Sequence, residues 1–180
     1  MIHKEFDVFF LDRDGVINVN RFVNTVADFE FLPHSLEALQ LLHKLGKKVF
    51  VVTNQGGIEA GYLTEDTLAD IHHKMCTDCT DAGGHIEKIY YCPHLTDCDF
   101  RKPKPGMLLQ ALTQYNLQDA KDQCCFVGDH FTDWEADLAA GIQPIAVISG
   151  REWDETHWNL VIQHQIPYYF TLYDVVMQYA

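Results

Sequence analysis

Apolar runs of strand length recur along this chain, and polar or glycine-bearing loops follow them before the next helical pattern begins. The runs cover residues 6–11, 48–53, 86–91, 124–127 and 144–148, with a short sixth at 168–170. Unbroken apolar runs are how strands buried on both faces read, and strands that alternate with helices build parallel sheets. Helical patterns fill the gaps at 35–45, 64–82, 107–115, 133–140 and 154–165, with a closing helix from Leu172. In the first of these, Leu36, Leu39, Leu42 and Leu45 form one stripe and Gly46 is the stop; Thr64 caps the second and Gly83-Gly84 end it. The expected architecture is α/β, a parallel sheet covered by helices on both faces in three αβα layers.

In such sheets ligands bind just beyond the carboxyl ends of the strands, so the residues that follow each strand carry the functional reading. The first strand runs into Asp12-Arg13-Asp14-Gly15. Residues two apart on an extended segment point the same way, so Asp12 and Asp14 meet at the mouth of the crevice. Two carboxylates so placed repel each other, and a divalent cation with oxygen ligands relieves the repulsion. A carboxylate beside bound Mg²⁺ can attack a phosphoryl group to form an aspartyl-phosphate while its neighbour handles the proton. A solvated turn is the plain alternative for a single motif of this kind.

The second strand ends in Thr53-Asn54-Gln55-Gly56-Gly57-Ile58, where a hydroxyl and close-approaching backbone N–H groups suit a phosphate oxygen, and a plain turn is again the alternative. The third leads through residues 92–100 into Arg101-Lys102-Pro103-Lys104-Pro105-Gly106, three cations held ahead of a helix by two prolines. In so acidic a chain this run reads as an anion contact. The fourth strand breaks at Gly128-Asp129, with Asp133 four residues on, and the fifth precedes Ser149-Gly150-Arg151. His130, directly after Asp129, is a candidate contact of the site, although a lone histidine in a loop is more often solvated.

The 180 residues are most simply one domain spanning 1–180, and 47% apolar with 22% charged residues is an ordinary soluble composition. A formal charge of −13 argues against nucleic acid, which needs a basic stripe, yet it allows a small anionic substrate. No run reaches the length of a membrane span, and residues 1–5 lead into a strand rather than a signal peptide's apolar core, so a cytoplasmic monomer is expected. Of six cysteines, Cys76, Cys79, Cys124 and Cys125 read as small core residues.

Taken in order, Asp12-x-Asp14-Gly15, Thr53 after a strand, Lys102 and Gly128-Asp129-x3-Asp133 resemble the four motifs of the haloacid dehalogenase-like phosphatases, over most of the chain. The resemblance implies a Rossmann-like doubly wound sheet. It implies Asp12 as nucleophile, Asp14 as general acid and base, and Thr53 and Lys102 on the phosphoryl oxygens. Mg²⁺ would be bound by Asp12, the backbone carbonyl of Asp14, and Asp129, with Asp133 behind these ligands or orienting their loop. The finer wording of residues 11–18, 53–58, Gly61-Tyr62, Cys92-Pro93-His94 and 101–107 resembles the branch that holds heptose bisphosphate and histidinol phosphate phosphatases. That branch implies no large cap domain and an exposed site for a small phosphorylated sugar or alcohol. Arg101 would then contact substrate, and Asn54 and Gln55 would shape the pocket. A heptose bisphosphate is the first substrate expectation, with histidinol phosphate second. A retired domain that only binds a phosphorylated ligand is the alternative from another class, and the paired carboxylates argue against it.

The branch also carries a zinc loop, Cys-x-His then Cys-x-Cys, just before Arg-Lys-Pro. This chain keeps Cys92, His94 and Cys98 but has Phe100 where the fourth ligand belongs. Two outcomes stand open: Zn²⁺ held by three side chains with a water or a further side chain, or a metal-free loop with Phe100 packed in its place.

Overall fold

The structure, a computed structural model, describes residues 4–19, 22–96 and 98–180. Met1, Ile2 and His3, which open the N-terminal stretch read above, lie outside the described residues, as do Asn20, Arg21 and Asp97.

Six strands form: β1 Val8–Leu11, β2 Lys48–Asn54, β3 Lys88–Cys92, β4 Cys124–Gly128, β5 Gln143–Val147 and β6 Tyr168–Tyr169. They make one all-parallel sheet in the order β3-β2-β1-β4-β5-β6, a Rossmann-like doubly wound arrangement. Between them lie α1 Ser35–Lys44, α2 Glu65–Asp81, α3 Gly106–Gln114, α4 Phe131–Ala140 and α5 Glu155–His164, and α6 Leu172–Tyr179 closes the chain. Among the described residues no helix is long and apolar enough to cross a membrane.

Period-two alternation sorts the strand side chains into two cores. Phe9, Leu11, Val49, Val51, Cys125 and Val127 pack on one face with Leu39 and Leu42 of α1, Ile71 and Met75 of α2, and Val175 and Val176 of α6. Val8, Phe10, Phe50, Val52 and Phe126 pack on the other with Met107, Leu108 and Ala111 of α3 and with Ala136 and Ala140 of α4. Each fully buried Phe or Leu contributes roughly 1.5–3 kcal/mol over an exposed one, so the central strands β1 and β4 are the rigid floor on which loops are mounted.

Two boundaries differ from the sequence pattern in ways that matter. Backbone pairing of β3 begins at Lys88, opposite Phe50, so Ile86 packs against the core from the loop before the strand. Helix α4 begins at Phe131, two residues earlier than its apolar pattern suggests, because His130 caps it by accepting from the Thr132 N–H at 3.3 Å. Asp133 thereby becomes a first-turn residue whose Oδ2 accepts from the His130 N–H at 3.1 Å.

All six cysteines are free thiols. Cys79, Cys124 and Cys125 are core residues as expected, and burial pushes the thiols of Cys79 and Cys124 up to about 11. Cys76 is a correction: it lies only half-buried, off the apolar stripe of α2.

Candidate active site

The strand order reverses direction at β1, which has β2 on one side and β4 on the other, so Asp12, Thr53 and Asp129 emerge together at the carboxyl edge. Asp12 and Thr53 border a cleft of about 370 Å³ whose walls include Asp14, Lys102 and Asp133, and Asp129 lies fully buried against Asp12 and Asp133. Asn54, Arg101, His130 and Arg151 reach the same cleft.

Lys102 sits at its floor, 3% exposed. Its ammonium donates to Asp12 Oδ1 at 2.9 Å, to Asp133 Oδ1 at 2.8 Å and to the Val52 carbonyl at 2.8 Å. Burial alone would favour the neutral amine, but the Asp12 and Asp133 carboxylates outweigh it and hold Lys102 above its ordinary value. The basic loop is pinned by Asn54, whose side-chain N–H₂ donates to the Lys102 carbonyl at 2.9 Å while its carbonyl accepts from the Lys102 N–H at 3.0 Å. Asn54 therefore acts on the pocket through Lys102.

Asp12, Asp129 and Asp133 bring carboxylate oxygens within 4.8 Å of one another, all three buried. Burial lifts Asp129 to about 7, with Asp133 and Asp12 adding repulsion and Arg151, at 3.0 Å, pulling the other way. Burial also raises Asp12, against the Lys102 ammonium. Hard oxygen donors crowded in this way suit Mg²⁺, so the residues present fit that ion. The backbone is built close around them. A Cβ on Gly150 would lie 2.1 Å from Asp129 Oδ2, and one on Gly15, at φ +89°, would lie 2.4 Å from it. Asp133 stands in this cluster, where one oxygen pairs with Lys102 and the other accepts from the His130 N–H of the loop before α4.

Asp14 borders the cleft but its carboxylate is held from behind. Oδ1 accepts from Arg13 Nε at 3.1 Å, Arg13 Nη2 at 2.8 Å and Asn18 Nδ2 at 3.0 Å. Oδ2 accepts from Arg13 Nη2 at 3.0 Å and from Gln55 Nε2 at 2.9 Å. Burial still raises its pKa over the opposing pull of Arg13, which suits a group that must carry a proton. Gln55 also donates to Thr53 Oγ1 at 2.9 Å, so this amide orders the two neighbours and lines a second hollow beside the cleft. Arg101 borders both spaces and donates to the His94 carbonyl at 2.7 Å.

His130 is at the site and not merely solvated: its ring is half-buried at the cleft, 4.0 Å from the Phe131 ring and 5.2 Å from that of His157. Ser149 and Arg151, left without a role above, brace the metal-side loop: Ser149 Oγ donates to the Gly15 carbonyl at 2.9 Å and Arg151 pairs with Asp129. Arg13 and Arg151 escaped the sequence reading because their partners are defined by the fold.

Cys92, His94 and Cys98 do come together, their ligand atoms within 4.8 Å. Phe100 does not fill the fourth position; its ring is 44% exposed. Three ligands among the described residues are one short of the four that a closed structural zinc site takes. The fit is incomplete.

A family profile described as polynucleotide kinase 3 phosphatase matches residues 7–140. The chain belongs to that family of haloacid dehalogenase-like phosphatases. A D-glycero-beta-D-manno-heptose-1,7-bisphosphate 7-phosphatase of Pasteurella multocida is 40% identical over 148 residues, covering 77% of this chain and 79% of that one. A D-glycero-alpha-D-manno-heptose-1,7-bisphosphate 7-phosphatase of Campylobacter jejuni is 38% identical over 141 residues, covering 78% and 81%. The crystal structure of a D,D-heptose 1,7-bisphosphate phosphatase from B. bronchiseptica, complexed with magnesium and phosphate, superposes with a TM-score of 0.85 at 31% identity over 96% of this phosphatase and 97% of that chain. The enzyme class is thus a phosphoric monoester hydrolase.

Proposed function

We propose that this phosphatase is a Mg²⁺-dependent heptose 1,7-bisphosphate 7-phosphatase, a single cytoplasmic domain working as a monomer through an aspartyl-phosphate. The observation that carries the chemistry is the pairing of Lys102 with both Asp12 and Asp133 beside Asp129, an anion-binding cation set against a cluster of hard ligands. The relatives' names supply the sugar, and a cleft of about 370 Å³ is of the size that takes a small ligand.

Asp12 attacks phosphorus in line, and the bond from phosphorus to the leaving oxygen breaks as the acyl phosphate forms. Asp14 gives its proton to the departing alkoxide. It then takes a proton from the water that attacks the same phosphorus, so that inorganic phosphate leaves and Asp12 is restored. Lys102 and the Thr53 hydroxyl hold the equatorial oxygens, where charge develops. Mg²⁺, held by Asp12, the Asp14 carbonyl and Asp129, with Asp133 beside them, would supply screening between the Asp12 carboxylate and the incoming phosphate. Arg101, between cleft and hollow, contacts the leaving group. Zinc has no step in this scheme.

The test is steady-state phosphate release with and without Mg²⁺ from heptose 1,7-bisphosphate, histidinol phosphate and several hexose phosphates, with Asp12→Asn as the inactive control. A preference of about a hundredfold for the heptose ester, ~2.7 kcal/mol of transition-state discrimination, is the expected result. A like preference for another ester would reassign the substrate, and an active Asp12→Asn would remove the nucleophile.

A further inference from the structure

We propose that His72 is a positioning residue for proton transfer: its ring anchors the Arg13 guanidinium that holds the Asp14 carboxyl at the cleft. The inference rests on the role proposed above for Asp14.

Helix α2 buries Leu68, Ile71, His72, Met75 and Cys79, so His72 is the one polar member of an otherwise apolar face. It meets Arg13, whose side chain is wholly buried, 59 residues away in sequence. Taking a guanidinium out of water costs several kcal/mol unless its donors are met, by order of magnitude. Nε and Nη2 are met by Asp14; Nη1 faces His72 Nε2 at 3.3 Å. Arginine has donors only, so the facing ring nitrogen must accept, which requires a neutral ring with its proton on Nδ1. Burial, reinforced by the charge of Arg13, holds His72 down at about 3, and the ring is therefore neutral at any working pH. Tyr91 closes the other side, its ring 5.9 Å from that of His72 and its hydroxyl donating to Glu65 Oε2 at 2.6 Å on the same helix.

The geometry explains why a histidine occupies a core position. Arg13 is the immediate neighbour of Asp14 in the chain, and its three hydrogen bonds to that carboxylate all come from Nε and Nη2, along one edge of its fork. The contact from α2, at Nη1, holds the opposite edge of the plane, and with it the orientation of the carboxyl that must reach the leaving oxygen. Misplacing a reacting group by about 1 Å can cost on the order of 10²-fold in rate.

Leaving-group dependence separates this role from plain core packing. The 4-nitrophenolate ion departs without needing a proton, whereas the alkoxide of glycerol phosphate must be protonated as it leaves. Phosphate release from both esters is measured on the Mg²⁺-loaded full chain, and kcat/KM is used because it reports the steps up to transfer to Asp12. For His72→Leu, kcat/KM on glycerol phosphate should fall at least roughly tenfold further than on 4-nitrophenyl phosphate. His72→Gln, whose amide carbonyl can accept from Arg13, should restore the ratio. The ratio is internal to one sample, so a reduced folded fraction cancels, and His72→Ala serves where leucine does not pack. Equal losses on the two esters, no loss on either, or no rescue by glutamine would overturn the proposal. Asp14→Ala tells the two readings apart. If it shows the leaving-group bias and His72→Leu does not, only the role of His72 falls; if it shows none, the role of Asp14 falls and this inference with it.

Discussion

Lys102 Nζ lies 2.9 Å from Asp12 Oδ1, so the cation that is to meet the phosphoryl group and the carboxylate that is to attack it are already paired in the free protein. An ammonium has three donors, and here Asp12, Asp133 and the Val52 carbonyl use all three. An arriving phosphate oxygen must exchange with one of them. If Asp12 is the one displaced, the exchange frees a lone pair of the attacking carboxylate in the act of binding.

Lys102→Ala leaves the buried Asp12 and Asp133 carboxylates without their cation. Activity should be lost, and stability should fall by roughly 3–5 kcal/mol, the usual cost of breaking a buried pair by removing one partner. Thermal melts with and without Mg²⁺ check this: the metal should return part of the lost stability. An unchanged melting temperature in the metal-free variant would mean that the pairing is energetically idle.

Asp129, lifted to about 7, must lose its proton before it can hold a cation. Mg²⁺ affinity should therefore weaken as pH falls below 7, by up to about tenfold per unit in the limit of one competing proton. Isothermal titration at pH 6 and pH 8 gives the ratio, and proton release on binding at pH 6 gives the same answer by a second route. Equal affinities at the two values would place the titration elsewhere.

Asp137 is fully buried, and neither of its carboxylate oxygens has a hydrogen-bond partner among the described residues. Burial, with Asp133 next, holds it well above the ordinary carboxylate range. Below the unfolded value near 4 both states carry the proton and the group adds no pH dependence to stability. Above it only the unfolded chain ionises, so each further unit of pH costs the native state up to about 1.4 kcal/mol until the folded value is reached. Asp137→Ala should therefore gain stability over the wild type between pH 5 and 7 and lose that advantage towards pH 4. Denaturant midpoints across the range decide it, and a pH-independent difference would show that the carboxyl is not neutral in the fold.

Gly150→Ala puts a methyl group 2.1 Å from Asp129 Oδ2 and 2.6 Å from the Gly15 Cα. The second neighbour is backbone and cannot step aside, so Asp129 must move out of the cluster. Mg²⁺ binding should be weakened at least roughly tenfold, with a drop in melting temperature that metal no longer relieves. Wild-type affinity in this variant would show that the loop yields at no cost to the site.

The strand-terminal carboxylates were readable in the sequence because two short-range rules place them. Apolar runs locate the strands, and a polar residue directly after each must stand at the carboxyl edge. Asp12, Thr53 and Asp129 come to one edge for that reason, whereas Lys102, ten residues past β3, was readable only as part of a basic run. The sequence showed strands buried on both faces, and the structure sorts Phe9 and Leu11 to one core and Val8 and Phe10 to the other. Helix α4 misled at its start because it is capped early by His130, a residue outside the apolar pattern.

What the sequence determined is the order of elements, the sheet they make and the kinds of groups at its edge, all of which follow from periodicities of two and 3.6 residues and from local caps. Only the tertiary structure decided the partners of those groups: His72 against Arg13 across 59 residues, Arg151 against Asp129 across 22, and Lys102 reaching back to the Val52 carbonyl across 50. No local spacing encodes these pairings. They arise when burial removes water from charged groups and each must take whichever donor or acceptor the packed helices bring within reach.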